Sequence, residues 1–145
     1  MTATALPGQP HIAYSGDTLC MEGVKLQDVA AQFGTPVFAY SKAAMLSALA
    51  AYQRGFAGRK AQICYAMKAN SNLAVLQVFA QAGCGFDIVS GGELARVLAA
   101  GGTPDKIIFS GVGKTRDEMK QALSIGIGCF NVESCLLYTS DAADE

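Results

Sequence analysis

The chain has 145 residues, half of them hydrophobic and 16% charged, with 11 basic against 12 acidic side chains. That balance suits one packed domain or a piece of a larger one and excludes a disordered segment. A net charge near zero also lacks the footprint of a nucleic-acid binder or a polybasic membrane anchor.

Residues 1–10 hold no basic side chain and no long apolar run, so no secretory signal is expected. No stretch reaches transmembrane length without a glycine or a charge interrupting it, so no membrane partner is expected. Cys20, Cys64, Cys84, Cys129 and Cys135 lie mostly inside apolar runs and lack C-x-x-C spacing. That pattern argues against zinc or a disulfide framework and for a reduced protein of the cytoplasm.

In chain order, Pro7, Gly8, Pro10 and Gly16 make residues 1–16 an irregular or short-stranded beginning. Leu26, Val29, Ala30 and Phe33 have helical spacing and stop at Gly34, which predicts a helix over 26–33. Thr35-Pro36-Val37-Phe38-Ala39-Tyr40 predicts a short strand. Ser41 is placed to cap a helix to about residue 54, with Met45, Leu46, Leu49 and Tyr52 as its buried stripe and Gly55 as its stop.

A regular rhythm follows. Strands are predicted over 61–68, 85–90, 106–110 and 127–133, separated by helices over 72–82, 92–100 and 116–124. Gly83, Gly101-Gly102 and Gly126 close those helices. Short strand, short helix and glycine stop, repeated at this spacing, specify βα units on a parallel sheet.

Doubly wound sheets and eight-unit barrels share that rhythm. Gly-x-Gly-x-x-Gly is missing after the first of these strands, which weakens a dinucleotide-binding reading. The strands end in polar residues: Lys68-Ala69-Asn70, Asp87 to Ser90, Ser110 to Lys114 and Asn131 to Glu133. In a barrel those ends line one mouth, where active sites are built. The expected fold class is therefore α/β, with a lead-in over 1–35 and about the first half of a (β/α)8 barrel over 36–134. Residues 135–145 show no amphipathic stripe and read as an anomalous tail rather than a native continuation.

Lys68 ends the apolar run Cys64-Tyr65-Ala66-Met67. A strand of alternating faces would put it beside Cys64 and Ala66, which are small, so it is expected to project into a confined space. Burial disfavours an ammonium ion, and a neutral amine is a nucleophile. The bland alternative is a lysine that snorkels from a strand end, and the stretch alone does not separate the two.

Several motifs in order carry a resemblance. Tyr65-Ala66-Met67-Lys68-Ala69-Asn70 and Gly83-Cys84-Gly85-Phe86-Asp87-Ile88-Val89-Ser90-Gly91-Gly92-Glu93-Leu94 resemble the fold-type III pyridoxal-phosphate decarboxylases. Ile108-Phe109-Ser110-Gly111-Val112-Gly113-Lys114-Thr115 and Phe130-Asn131-Val132-Glu133-Ser134 are similar to one branch, the diaminopimelate decarboxylases. Thr35-Pro36-Val37-Phe38-Ala39-Tyr40 also resembles the family. The likeness runs from about residue 10 to Ser134.

The resemblance implies that Lys68 is the catalytic lysine and binds pyridoxal 5'-phosphate covalently, a role that needs a primary amine fixed at a strand end. It also places Asp87 near the cofactor, in an electrostatic or hydrogen-bonding role; the structural alternative is an aspartate bonded to turn amides beside Gly91-Gly92. Glu93 stands in the capping-box spacing Ser90-x-x-Glu93 and is read as structural. Thr115-x-x-Glu118 repeats that spacing and is read as a cap alone. Lys114 is read as a solvated loop lysine rather than a contact for an anionic substrate. Asn70 is expected to order the Lys68 loop, with Ser71 or Asn72 capping the next helix. His11, the one histidine, does not match the family's ring-stacking histidine.

The implied activity is decarboxylation of meso-diaminopimelate to L-lysine and carbon dioxide, with a small-molecule amino-acid substrate and a homodimer sharing its active site. Phosphate-binding, ring-stacking and substrate-carboxylate residues are expected from later barrel strands and from a C-terminal β-domain that the lead-in would join. The chain by itself is expected to be inactive. The rivals are an arginine, ornithine or carboxynorspermidine decarboxylase of the same fold, and a non-catalytic carrier of the cofactor.

Overall fold

The structure is a computed structural model and describes residues 8–135. The chain divides into two compact units, Met1–Ala51 and Tyr52–Glu145, with the division falling inside a helix.

The first unit opens with an antiparallel three-stranded sheet, β1 (Ile12–Ser15), β2 (Thr18–Met21) and β3 (Val24–Lys25). Ile12 pairs with Met21 and Cys20 with Lys25, which leaves two-residue turns at Gly16-Asp17 and Glu22-Gly23. Glu22 and Gly23 both have positive φ, 50° and 83°, the hairpin turn whose twist matches that of its strands. The turn aims the Glu22 carboxylate at the next helix but one. It accepts from Ser41 Oγ at 2.5 Å and from the Ala43 amide at 2.8 Å, and those bonds hold the carboxyl below its ordinary range. Helix α1 (Leu26–Phe33) follows β3 directly and ends at Gly34, as its spacing predicts. Ser41 caps α2 (Lys42–Gly55) by accepting from the Ala44 amide at 2.9 Å.

The strand predicted at 35–40 does not form. Phe38 and Tyr40 are exposed and face each other with ring centroids 6.5 Å apart. Apolar composition proposes a strand, but only a partner completes its hydrogen-bond ladder. Among the described residues none pairs with this segment.

The second unit holds four parallel strands, β4 (Cys64–Ala66), β5 (Gly85–Ile88), β6 (Ile107–Phe109) and β7 (Cys129–Phe130). Between them run α3 (Leu73–Gln81), α4 (Gly91–Ala99) and α5 (Arg116–Ile125). The strands stand side by side in chain order, β4-β5-β6-β7, with no reversal. That sequential order is the progression of a (β/α)8 barrel, here present in part, and differs from the reversal at the centre of a doubly wound sheet.

Register sorts the side chains by face. Tyr65 pairs with Phe86 and Phe86 with Ile107; Ile88 pairs with Phe109 and Phe109 with Phe130. This apolar face is covered by the helices: Phe86, Ile88, Ile107, Phe109, Leu76, Leu94, Val97 and Ala122 are all fully buried. Tyr65 stacks on Phe79 at 4.3 Å, and Phe109 on Phe130 at 5.8 Å. The opposite face carries Ala66 and Asp87, and in the same alternation Ser110 and Asn131. No disulfide joins Cys20, Cys64, Cys84 or Cys129, and burial pushes the Cys64 and Cys84 thiols up. No helix among the described residues is long and apolar enough to cross a membrane.

Each of the four parallel strands stops earlier than predicted, at Ala66, Ile88, Phe109 and Phe130, although the Ser110 and Asn131 amides extend the ladder by one more bond each. The strand predicted over 61–68 is the clearest case. It ends at Ala66, and Met67–Ala69 form a 3-10 turn. Of the predicted tail, all but Cys135 lies outside the described residues.

Candidate active site

The C-terminal ends of the four strands line a cleft of about 230 Å³. Ala66 and Lys68 line it from the end of β4, Asp87 and Val89 from β5, Ser110 and Gly111 from β6, and Glu133 from beyond β7.

Lys68 reaches this cleft from the 3-10 turn, not from a strand. Met67 beside it is 1% exposed and anchors the turn in the core. Behind it, Tyr65 Oη donates to the Asn70 carbonyl at 3.1 Å. Asn70 Oδ1 accepts from the Asn72 amide at 2.9 Å, and Asn72 caps α3 through the Ala74 amide. Asn70 thus orders the loop, as expected. The lysine's backbone is held on both sides while its side chain stays exposed. Within this chain Lys68 is exposed rather than confined.

Asp87 is half-buried and accepts from Ser110 Oγ at 2.5 Å. Ser110 Oγ in turn accepts from Asn131 Nδ2 at 2.9 Å. No turn amide near Gly91-Gly92 is bonded to Asp87 among the described residues. Two glutamates serve those amides instead. Glu93 accepts from the Val89 amide at 2.7 Å, while its own amide donates to Ser90 Oγ at 3.2 Å. Glu93 is therefore structural, although its carboxylate reaches one residue past the helix cap.

Glu118 does more than its spacing predicts. Thr115 and Glu118 complete a reciprocal capping box on α5, and Glu118 also accepts from the Gly91 amide at 2.7 Å. That bond first, and those from Thr115 second, hold its carboxyl below the ordinary range. A depressed carboxyl stabilises the fold above its unfolded value and ceases to as pH falls through its folded value. Glu118→Gln is expected to lower stability at pH 7 by no more than about 1 kcal/mol, since solvent screens so accessible a group. Its larger signature is a shallower loss of stability below roughly pH 4.3. Urea titrations of both proteins at a series of pH values check it; parallel acid limbs would refute the role.

Lys114 is not a solvated loop lysine. It is 7% exposed, donates from Nζ to the Gly111 carbonyl and lies 5.6 Å from the centre of the Phe109 ring. On the same residue, Glu133 accepts from the Gly111 amide at 2.8 Å. Gly111, at φ +93°, is thus gripped through both its backbone groups, and a side chain there would be strained by that backbone conformation. Ser110, Asn131 and Glu133 were visible in the sequence only as polar strand ends. His11 belongs to the first unit.

An exposed amine on an anchored turn, beside a carboxylate with its own hydroxyl donor, is a donor set for an aldehyde-bearing cofactor. Residues 42–137 match the family described as pyridoxal-dependent decarboxylase, pyridoxal binding domain. The chain belongs to that family. A diaminopimelate decarboxylase of Pseudomonas aeruginosa is 56% identical over 122 residues, 84% of this chain and 29% of the relative. An Aquifex aeolicus crystal structure superposes with a TM-score of 0.86 at 40% identity, covering 91% of this chain and 33% of that one. Diaminopimelate decarboxylase from M. jannaschii, solved with L-lysine, gives a TM-score of 0.82 at 31% identity over 86% of this chain and 30% of its own. The chain therefore spans about a third of the length of these relatives.

Pyridoxal phosphate is the cofactor of this pyridoxal-binding domain. The residues present fit its aldehyde end: Lys68 would offer a primary amine, with the hydrogen-bonded pair Asp87 and Ser110 lining the same cleft. Lys68 is the one basic side chain among the described residues lining the cleft.

Proposed function

We propose that the whole protein decarboxylates meso-diaminopimelate to L-lysine and carbon dioxide, and that this chain supplies Lys68 as the lysine that holds the cofactor and Asp87 as a neighbour of the same site. The observation that carries this reading is the convergence of Lys68 and Asp87, from successive strand ends, on one cleft. The 56% identity to a diaminopimelate decarboxylase supports this choice of substrate. When bound, the pyridoxal ring supplies an electron sink for the pair left by the departing carboxylate. The anchored turn launches the Lys68 side chain from a fixed backbone position toward the cleft, so attachment competes well against the other lysines. Asp87 contributes a negative charge to the same cleft. We place the whole protein in the cytoplasm as a homodimer, assign turnover to it, and assign cofactor attachment to this chain.

The test is borohydride reduction of the chain after incubation with pyridoxal phosphate, followed by peptide mapping. Lys68 is expected to carry the phosphopyridoxyl group at least about tenfold more than any other lysine, and Lys68→Ala to abolish that signal. Labelling spread evenly over the lysines would sink the assignment. Assay of the whole protein on meso-diaminopimelate against ornithine and arginine decides the substrate.

A further inference from the structure

Asp87, Ser110 and Asn131 lie at the ends of three neighbouring strands and form one directed chain of hydrogen bonds. Its backbone supports are part of the sheet: the Ser110 amide donates to the Ile88 carbonyl at 2.8 Å, and the Asn131 amide to the Phe109 carbonyl at 2.9 Å. Each side chain is thus launched from a fixed point on an extended ladder. Asn131 Nδ2 can only donate, and a serine hydroxyl has a single hydrogen. With Asn131 donating into the Ser110 lone pair, that hydrogen is directed to Asp87 Oδ1. The 2.5 Å separation lies in the range of a hydroxyl bonded to a carboxylate.

We propose that Ser110, oriented by Asn131, is the positioning residue for Asp87, holding its carboxylate at one setting in the cleft that Lys68 also lines. This deepens the reading above and rests on it for its link to the cofactor. Ser110 takes one carboxylate oxygen and leaves Oδ2 without a protein donor among the described residues. Asp87 can then present a negative charge of constant direction to any cation formed at the Lys68 nitrogen. Without the hydroxyl, the carboxylate is free to turn away and the advantage of Lys68 over other lysines falls.

The experiment compares Ser110→Ala, Ser110→Thr, Asp87→Ala and the Asp87→Ala/Ser110→Ala double variant with the unaltered chain. Two quantities are read: borohydride-trapped label on Lys68 at limiting pyridoxal phosphate, and the urea midpoint. Ser110→Ala is expected to lower Lys68 labelling about fivefold, Ser110→Thr to restore it, and the second substitution to change nothing once Asp87 is alanine. Labelling unchanged in Ser110→Ala, or losses that multiply in the double variant, would overturn the proposal. Absence of label from Lys68 in the unaltered chain would instead overturn the functional reading. The urea midpoints then still decide the present proposal, because purely additive effects at 87 and 110 would refute a role exerted through Asp87.

Discussion

Replacing Phe86 with alanine is expected to reduce unfolding free energy by about 4 kcal/mol, the range for truncating a buried phenylalanine. Phe86 is fully buried on the central strand β5. It meets the edge of the Tyr65 ring at 6.4 Å and 85°, an arrangement that adds to burial alone. Its site is also cut to fit. A side chain at Gly102 would begin 3.1 Å from Phe86 Cε2 and 2.4 Å from Val97 Cγ1, so the Phe86 ring fills the space against the Gly102 backbone and Phe86→Ala would leave that space empty. A loss of this size is a large share of a typical domain's stability. Urea denaturation checks it: the midpoint should fall steeply while the slope holds. A change under about 1.5 kcal/mol, the scale of a well-tolerated core swap, would show that β5 does not carry the core.

Gly128→Ala is expected to be nearly as damaging, for the opposite reason. A Cβ at 128 would lie 2.3 Å from the Asp105 carbonyl oxygen and 3.2 Å from that of Ile107. Both are backbone atoms that cannot swing aside. The Gly128 amide meanwhile donates to the Ile107 carbonyl at 3.0 Å, so relieving the clash pulls β7 off β6. We expect a loss of about 3 kcal/mol, the upper end for overpacking. Displacing β7 also carries Asn131 away from Ser110, so the cleft should suffer with the fold. Gly113→Ala is the control: nothing lies within 4 Å of its Cβ position, and the change should be neutral or slightly stabilising. Equal urea midpoints for Gly128→Ala and Gly113→Ala would contradict the close approach.

Much of the fold was legible in the chain because its signals are local. Leu26, Val29, Ala30 and Phe33 specify α1 by spacing within one helix, and Gly34 ends it one residue later. Ser41, Asn72, Ser90 and Thr115 cap helices whose amides are two or three residues away. Strand alternation likewise put Lys68 on the side of Ala66, and the 3-10 turn preserved that side although it replaced the strand. The segment 35–40 failed because a strand is a relation between two stretches, and composition describes only one.

The sequence by itself determined the βα order and the helix ends, since each depends on neighbours a few residues away, and the repeated rhythm of those units placed Lys68 and Asp87 at strand ends of one parallel sheet. Tertiary structure alone decided the partners across strand ends. Asp87 meets Ser110 at 23 residues' separation, Asn131 meets Ser110 at 21, and Glu118 meets Gly91 at 27. Those pairings follow from parallel register and from how far each strand runs before its polar end turns aside. Lys114 is buried against Phe109 and Lys68 lies in the open, although both are lysines that follow strands. Burial is a property of what the whole sheet brings near a side chain, and no local pattern records it.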